Sequence, residues 1–180
     1  MPAPVFYGIL KMRHRQAGDC LFFRAKAFVR AIGESLFREV KKLINLIVGH
    51  KGSGKTKMLI DMVNKACEEE NGSVVCIEGG RNLTYNIKYA ARLVDICEYP
   101  IAAGVDAFFA FVCAIYSQNF DITHMFIDSL QKAARTDDLS EFARLLDNME
   151  AFSEKYGVNF TVMLSCEREE AEKYLGKYLG

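Results

Sequence analysis

The sequence predicts an α/β fold, a three-layer α/β/α sandwich with a mostly parallel sheet. After residue 42, short apolar runs alternate with longer stretches whose apolar residues recur at helical spacing. The apolar runs are nearly continuous, as expected of strands that are covered on both faces. With 180 residues, of which 51% are hydrophobic, the chain is long enough to bury one full core. We therefore expect one domain over residues 43–180, preceded by a distinct segment, residues 1–42.

Four strands follow from these runs. They are LINLIV at 43–48, SVVCIE at 73–78, HMFIDS at 124–129 and NFTVMLS at 159–165. Residues 79–103 are harder to interpret, because Leu83, Tyr85, Ile87 and Tyr89 alternate before a short apolar run. For this stretch we expect a hairpin or an irregular pair of strands.

Four helices are predicted between and after the strands, at residues 55–70, 104–119, 138–156 and 167–179. Asn71-Gly72 is expected to end the first helix, and Gly157 the third. The second has a very apolar face, and the third is amphipathic. The fourth is acidic at its start and carries lysines later, which suits the helix dipole.

The segment between the first strand and the first helix has the spacing of a phosphate-binding loop, G-x-x-x-x-G-K-[ST]. Glycines allow successive N–H groups to converge on one anion, and the helix amino end adds positive potential. The alternative is a glycine-rich turn that joins a strand to a helix and binds no ligand. The predicted phosphate-binding residues are Gly49, His50, Lys51, Gly52, Ser53, Gly54, Lys55 and Thr56.

Within this loop, Lys55 is expected to reach the outer phosphates and Thr56 to offer its hydroxyl to Mg²⁺. His50 and Lys51 fill variable positions and are expected to face solvent. ATP is the predicted nucleotide by elimination, because the chain has no Asn-Lys-x-Asp sequence for guanine recognition. ATP and Mg²⁺ are therefore the predicted cofactors.

A metal-binding carboxylate is expected at the end of another strand. Asp128 follows the apolar run Met125-Phe126-Ile127, as in a Walker B element, and would hold Mg²⁺ through water. The alternative is a carboxylate that only caps the next turn. His124 interrupts the run, and we expect a satisfied or partly exposed histidine rather than a catalytic one.

Hydrolysis requires a group that orients water, and the position after Asp128 is occupied by Ser129, which is no general base. Glu78, at the end of the second strand, is the candidate for this role, with Lys55 as its catalytic partner on the phosphates. A solvated carboxylate at a strand end is the alternative for Glu78.

These residues carry a resemblance to a known superfamily. The phosphate loop and Glu78 resemble those of P-loop NTPases of the RecA-like and twitching-motility (PilT-type) groups, whose corresponding strand also ends in an acidic residue. The region from residue 43 onward resembles small stand-alone bacterial ATP-binding proteins. It departs from the motility ATPases in lacking their amino-terminal domain and their His-rich and Asp-rich motifs. The resemblance implies a P-loop NTPase fold and ATP as ligand.

Three further residues are candidates for contacts with the terminal phosphate. Ser165, at the end of the last strand, either senses this phosphate or only starts a turn. Arg81 or Arg135, both in predicted loops, would serve as an arginine finger, and nothing in the sequence selects one.

Composition bears on the compartment. Six cysteines are scattered without a Cys-x-x-Cys pair, which indicates reduced thiols, a cytoplasmic protein and no zinc site. No run of about 18 apolar residues is present, so no transmembrane segment is expected.

Residues 1–42 are basic, with nine Lys and Arg against three Asp and Glu, whereas the remainder holds 14 against 20. One interpretation is a basic amphipathic helix that docks on a membrane surface or a partner. The others are an Arg-rich transit segment and an upstream stretch outside the native protein, which would then begin at Leu43.

Two functions remain open from the sequence. One is a Mg²⁺-dependent ATPase of low turnover. The other is a nucleotide-gated binding protein in which ATP orders the loops at 79–104 and 129–137 without significant hydrolysis. A small-molecule kinase is a distant alternative. A protein partner or a second copy of the chain is compatible with either, and the sequence shows no direct sign of nucleic-acid binding.

Overall fold

The computed structural model describes residues 43–80, 83 and 86–179. The chain divides into two units, residues 1–41 and residues 42–180. The expectations for residues 1–42 lie outside the described residues. All that follows concerns the second unit.

The second unit contains five strands and five α-helices among its described residues. The strands are β1 (Ile44–Val48), β2 (Ser73–Glu78), β3 (Ala91–Asp95), β4 (Ile122–Ile127) and β5 (Asn159–Leu164). The helices are α1 (Lys55–Glu69), α2 (Val105–Gln118), α3 (Leu130–Ala134), α4 (Leu139–Tyr156) and α5 (Arg168–Leu175), and a 3₁₀ helix spans Ile96–Glu98.

The five strands form one parallel sheet in the order β1-β5-β4-β2-β3. The predicted α/β fold is thus confirmed, and the sheet is parallel throughout its described strands. Because all carboxyl ends lie at the same edge, the residues that follow β1, β4 and β5 meet there. β5 lies between β1 and β4, so the residues after β5 stand between the phosphate loop and Asp128.

Helices cover both faces of the sheet. On one face, Leu59 and Val63 of α1 pack against Cys76 and Phe126. On the other face, the cluster includes Phe108 of α2, Phe142 of α4 and Ile127 of β4. The alternation of side chains along each strand supplies both apolar layers, which explains why the strands are apolar almost without interruption.

The expectation of a hairpin or strand pair over residues 79–103 is wrong. Among its described residues, this stretch contains one strand, β3, which is parallel to β2 with Cys76 opposite Leu93 and is followed by the 3₁₀ helix. A hairpin needs a short reversing turn, whereas a parallel neighbour needs a connection that returns the chain to the opposite edge. Residues 79–90 are long enough for that return.

Three further differences from the predictions exceed one residue. β4 covers 122–127 rather than 124–129, so Asp128 directly follows the strand. The stretch 129–137, expected as a loop, contains α3. The last helix ends at Leu175, before the predicted end at residue 179.

None of the described helices combines the length and the apolar character that crossing a membrane requires. The cysteines among the described residues are free thiols, namely Cys67, Cys76, Cys97, Cys113 and Cys166. Cys20 lies outside the described residues.

Candidate functional site

The loop between β1 and α1 folds back on itself at the carboxyl edge of the sheet. Gly49 N–H donates to the Leu164 carbonyl at 3.2 Å, and Ser53 N–H donates to the His50 carbonyl at 3.1 Å. Gly54 precedes α1 with φ 85°, a left-handed conformation that favours glycine. No side chain of the described residues caps α1, so the N–H groups at its amino end are available to an anion.

Lys55 folds back over this loop. Its Nζ donates to the Gly49 carbonyl at 2.6 Å and to the His50 carbonyl at 2.7 Å. Burial lowers the pKa of Lys55, while the negative charge of Asp128 opposes that shift. The ammonium group is therefore held in the hollow of the loop, close enough to Asp128 to interact with its charge.

A cavity of about 670 Å³ opens beside Lys55 at this edge of the sheet. Its walls come from the loop, from the segment that follows β4 and from the segment that follows β5. A volume of this order suits a nucleotide-sized ligand. The lining residues are His50, Lys51, Gly52, Gly54, Lys55, Thr56, Asp128, Ser129, Gln131, Lys132, Asp137, Ser165, Cys166 and Glu167.

Asp128 is the buried carboxylate of this cavity, with 6% of its surface exposed. Burial raises its pKa, whereas a hydrogen bond from Ser129 and the charges of Lys132 and Lys55 work against the rise. The next residue, Ser129, has φ 53°, a left-handed backbone conformation that is uncommon for residues other than glycine and asparagine. That bend turns the chain directly from β4 into α3.

The donor set suits Mg²⁺ only in company with phosphate oxygens. Thr56 and Asp128 line the same cavity. The described residues contain no cluster of three or more His, Cys, Asp or Glu that would hold a metal ion unaided. Mg²⁺ is commonly held by one or two carboxylates together with phosphates and water, so the one carboxylate and one hydroxyl present here fit that mode.

Glu78 is placed differently from the other predicted residues. It is buried, with 1% exposure, and Oε2 accepts the Leu83 N–H at 3.1 Å. The solvated alternative is therefore wrong. Glu78 follows Ile77, which lies opposite Ile127, so the Glu78 main chain is next to that of Asp128. Its side chain is not part of the cavity wall, and its role in orienting water stays a prediction.

His124 lies in the interior of the fold, on β4. Nδ1 is 2.8 Å from Glu70 Oε1, Nε2 is 2.9 Å from Thr161 Oγ1, and the ring stacks on Phe126. Its side chain is 16% exposed. His124 is therefore hydrogen-bonded and partly exposed, as expected.

The rim of the cavity carries the variable loop residues. His50 and Lys51 are exposed, as predicted, and His50 Nδ1 is 2.9 Å from Glu167 Oε1. Of the two arginine candidates, Arg135 donates from NH1 to the Ile101 carbonyl at 2.6 Å and is not part of the cavity wall. Arg81 lies outside the described residues.

Sequence reasoning missed several residues that line the cavity, namely Gln131, Lys132, Asp137, Cys166 and Glu167. The available signal was position, because each lies shortly after a strand end that faces the phosphate loop. Burial raises the pKa of the Cys166 thiol, and the charge of Glu170 adds to the rise. Cys166 is therefore a neutral part of the wall at neutral pH.

No protein-family model matches this chain, and no curated protein is significantly similar to it in sequence.

Proposed function

We propose that the protein is a P-loop nucleotide-binding protein that takes ATP together with Mg²⁺ in the cavity beside Lys55. The observation that carries this proposal is the position of the Lys55 ammonium inside the glycine-rich loop, in a cavity shared with Thr56 and Asp128. An anion of phosphate size would find convergent N–H groups, a helix amino end and a lysine at one point.

Each residue has a distinct task in this proposal. The two carbonyls that now hold Lys55 would give way to phosphate oxygens, which are stronger acceptors for an ammonium group. Thr56 and Asp128 would support Mg²⁺, directly and through water. When bound, ATP would supply the phosphoanhydride bond, and Mg²⁺ would neutralise charge on the phosphates.

The position of Glu78 supports low turnover. Among the cavity carboxylates, Asp128 is assigned to the metal, while Asp137 and Glu167 are exposed at the rim. Glu78 is buried and accepts the Leu83 N–H, so water would have to enter this buried site before Glu78 could orient it. A Mg²⁺-dependent ATPase of low turnover is therefore the function we favour.

A nucleotide-gated binding protein is the second candidate, and the contacts of α3 favour it. This helix begins beside Asp128, and its last residue, Ala134, accepts the Gly104 N–H at 2.8 Å. Ligand at Asp128 would thus act on the chain that leads into α2. In this alternative hydrolysis is insignificant, and the bound state itself is the signal.

Calorimetry with Mg²⁺ and ATP tests the binding proposal. Lys55→Ala is expected to weaken affinity by roughly 10- to 100-fold, because a hydrogen bond to a charged group contributes about 1.5–3 kcal/mol. Lys57→Ala is the matched control, since Lys57 is exposed on the same helix and outside the cavity. Absence of binding by the folded wild-type protein would refute the proposal.

A phosphate-release assay then separates the two candidates. Turnover that exceeds the Lys55→Ala background and falls in Glu78→Gln supports the ATPase. Binding without release above that background supports the nucleotide-gated protein.

A further inference from the structure

The end of β5 is held by a side chain rather than by sheet hydrogen bonds alone. Ser165, the first residue after the strand, donates its N–H to Gln131 Oε1 at 3.2 Å. Its carbonyl accepts from Gln131 Nε2 at 2.5 Å. One amide thus binds both main-chain polar groups of Ser165, in the way a neighbouring strand would.

Ser165 occupies a central place in the cavity. β5 lies between β1 and β4, so Ser165 stands between the phosphate loop and Asp128. Within the described residues, no hydrogen bond uses the Ser165 hydroxyl. The neighbouring Cys166 and Lys55 line the same cavity, so this segment borders the space beside the ammonium group. The hydroxyl is therefore available to a ligand beside Lys55.

Gln131 also belongs to the segment that carries the metal-binding carboxylate. Ser129, with its left-handed φ of 53°, links Asp128 to α3, and Gln131 is the second residue of that helix. Leu130, Ala133 and Ala134 are buried and anchor α3 to the core. The distance from Asp128 to the Gln131 side chain is thus fixed by a short, packed unit.

We propose that Gln131 is a positioning residue that holds Ser165 against the terminal phosphate of ATP, and so allows the site to distinguish ATP from ADP. The inference rests on the proposed function. Gln131 acts through Ser165, whose hydroxyl donates to the terminal phosphate. ADP lacks that phosphate and gains nothing from this contact, whereas its other phosphates are held by the loop and Lys55.

Affinities for Mg²⁺-ATP and Mg²⁺-ADP, measured by calorimetry, test this. The variants are Gln131→Met, Ser165→Ala and the double variant. Gln131→Met keeps the side-chain volume but removes both hydrogen bonds to the main chain of Ser165. Gln131→Met is expected to weaken ATP binding about tenfold, as loss of one hydrogen bond to a charged group implies, and ADP binding less than about twofold. The double variant is expected to match Ser165→Ala alone, because Gln131 acts through that residue.

Two controls keep the result interpretable. Gln118→Met replaces an exposed glutamine of α2 and is expected to leave both affinities unchanged. Thermal melts establish that each variant is folded, and Gln131→Leu replaces Gln131→Met if the latter is not. Leucine also removes both hydrogen bonds and adds no charge to the cavity, so the same loss for ATP alone is expected.

Equal weakening of ATP and ADP would overturn the inference, because it would show a general structural effect. Additive losses in the double variant would also overturn it. If the wild-type protein binds neither nucleotide, the proposed function fails, and the inference fails with it. If it binds both and Gln131→Met leaves the ratio of affinities unchanged, only the inference fails.

Discussion

At the scale of residues, the cavity contains two ionisable groups, Asp128 and Lys55, and burial disfavours the charged form of each. Burial raises the pKa of Asp128 and lowers the pKa of Lys55, and each charge partly supports the other. A metal ion beside Asp128 and phosphates beside Lys55 would relieve both. Under the proposed function, the ligand would offset the cost in stability of keeping these two groups charged in the cavity, as is common at functional sites.

The first prediction concerns the substitution Asp128→Asn, which removes the buried charge. We expect the variant to be more stable than wild type at neutral pH without ligand, because it buries no charge. We also expect Mg²⁺ to improve its ATP affinity much less than in wild type. Thermal melts and calorimetry with and without Mg²⁺ measure the two effects.

The pH dependence fixes the sign of this prediction. The pKa of Asp128 is higher in the folded state than in the unfolded state, where it is about 3.9. Above that pH the native state therefore binds more protons than the unfolded state. The free energy of unfolding accordingly falls as pH rises through the pKa of the folded state. The stability advantage of the Asn variant should therefore shrink as pH falls towards 4. An advantage that grows in acid would contradict the burial argument.

Glu78 gives a second prediction at this scale. Glu78→Ala leaves the buried Leu83 N–H without its acceptor, so we expect the free energy of unfolding to fall by about 1–3 kcal/mol. ATP affinity should change less than about threefold, because Glu78 does not line the cavity. Urea unfolding and calorimetry are the measurements.

Glu154→Ala, an exposed carboxylate of α4, is the matched control and is expected to change stability by less than about 0.5 kcal/mol. Loss of ATP affinity in Glu78→Ala with stability retained would assign Glu78 directly to the nucleotide site.

How far the sequence predicts individual residues depends on the separation of their partners. The phosphate loop is local in sequence, so its residue types and spacing predict the turn. Gln131 acts on Ser165, 34 residues away, and no local pattern indicates that pair. The buried Glu78 side chain accepts the N–H of Leu83, five residues later, and the strand pattern alone does not specify that contact.

At the scale of elements, the ends of α1 and α4 show how the same backbone conformation serves different purposes. Gly54, before α1, has φ 85°, and Gly157, after α4, has φ 74°. A Cβ at either position would meet no atom within 4 Å. Each glycine is therefore required by conformation rather than by space.

This pair gives a third prediction. Alanine at either position should lower stability by about 1–2 kcal/mol, the cost of a left-handed residue with a side chain. Gly54→Ala should also weaken ATP binding by more than about tenfold, since the loop N–H groups are displaced. Gly157→Ala, far along the chain from the loop, should leave affinity within about twofold. Urea unfolding and calorimetry compare the two.

Asparagine adopts the left-handed conformation more readily than alanine. Gly54→Asn and Gly157→Asn are therefore expected to recover part of the stability lost in the alanine variants. If Gly54→Ala bound ATP normally, the left-handed turn would have no part in holding the phosphates.

The same scale explains which elements the sequence predicts well. α1, α2 and α4 are long enough for helical periodicity to emerge, and they lie within one residue of the predicted bounds. α3 has five residues, too few to show a period. For β3, the short apolar run after residue 89 indicated a strand, but strand direction depends on the connection and on pairing with β2, which a local pattern does not encode.

At the scale of the whole molecule, α3 links the cavity to a second region. Its amino end adjoins Asp128, and at its carboxyl end Arg135 donates to the Ile101 carbonyl at 2.6 Å and to the Tyr99 carbonyl at 3.5 Å. Ala134 accepts the Gly104 N–H. The segment 99–104, which leads into α2, is thus held by the same short helix that borders the cavity beside Lys55.

Hydrogen exchange of the whole protein tests this link. We expect Mg²⁺-ATP to slow amide exchange in the phosphate loop, in α3 and in residues 99–104, because ligand at Asp128 restrains the helix that holds that segment.

Arg135→Ala should abolish the slowing at 99–104 while leaving the slowing in the loop, since it removes the link without touching the cavity. Arg144→Ala is the control, because Arg144 is an exposed arginine whose guanidinium pairs with Asp106 at 3.1 Å. Protection confined to the loop in the wild-type protein would show that the site acts locally. Protection at 99–104 that persists in Arg135→Ala would assign the link to the Gly104–Ala134 hydrogen bond instead.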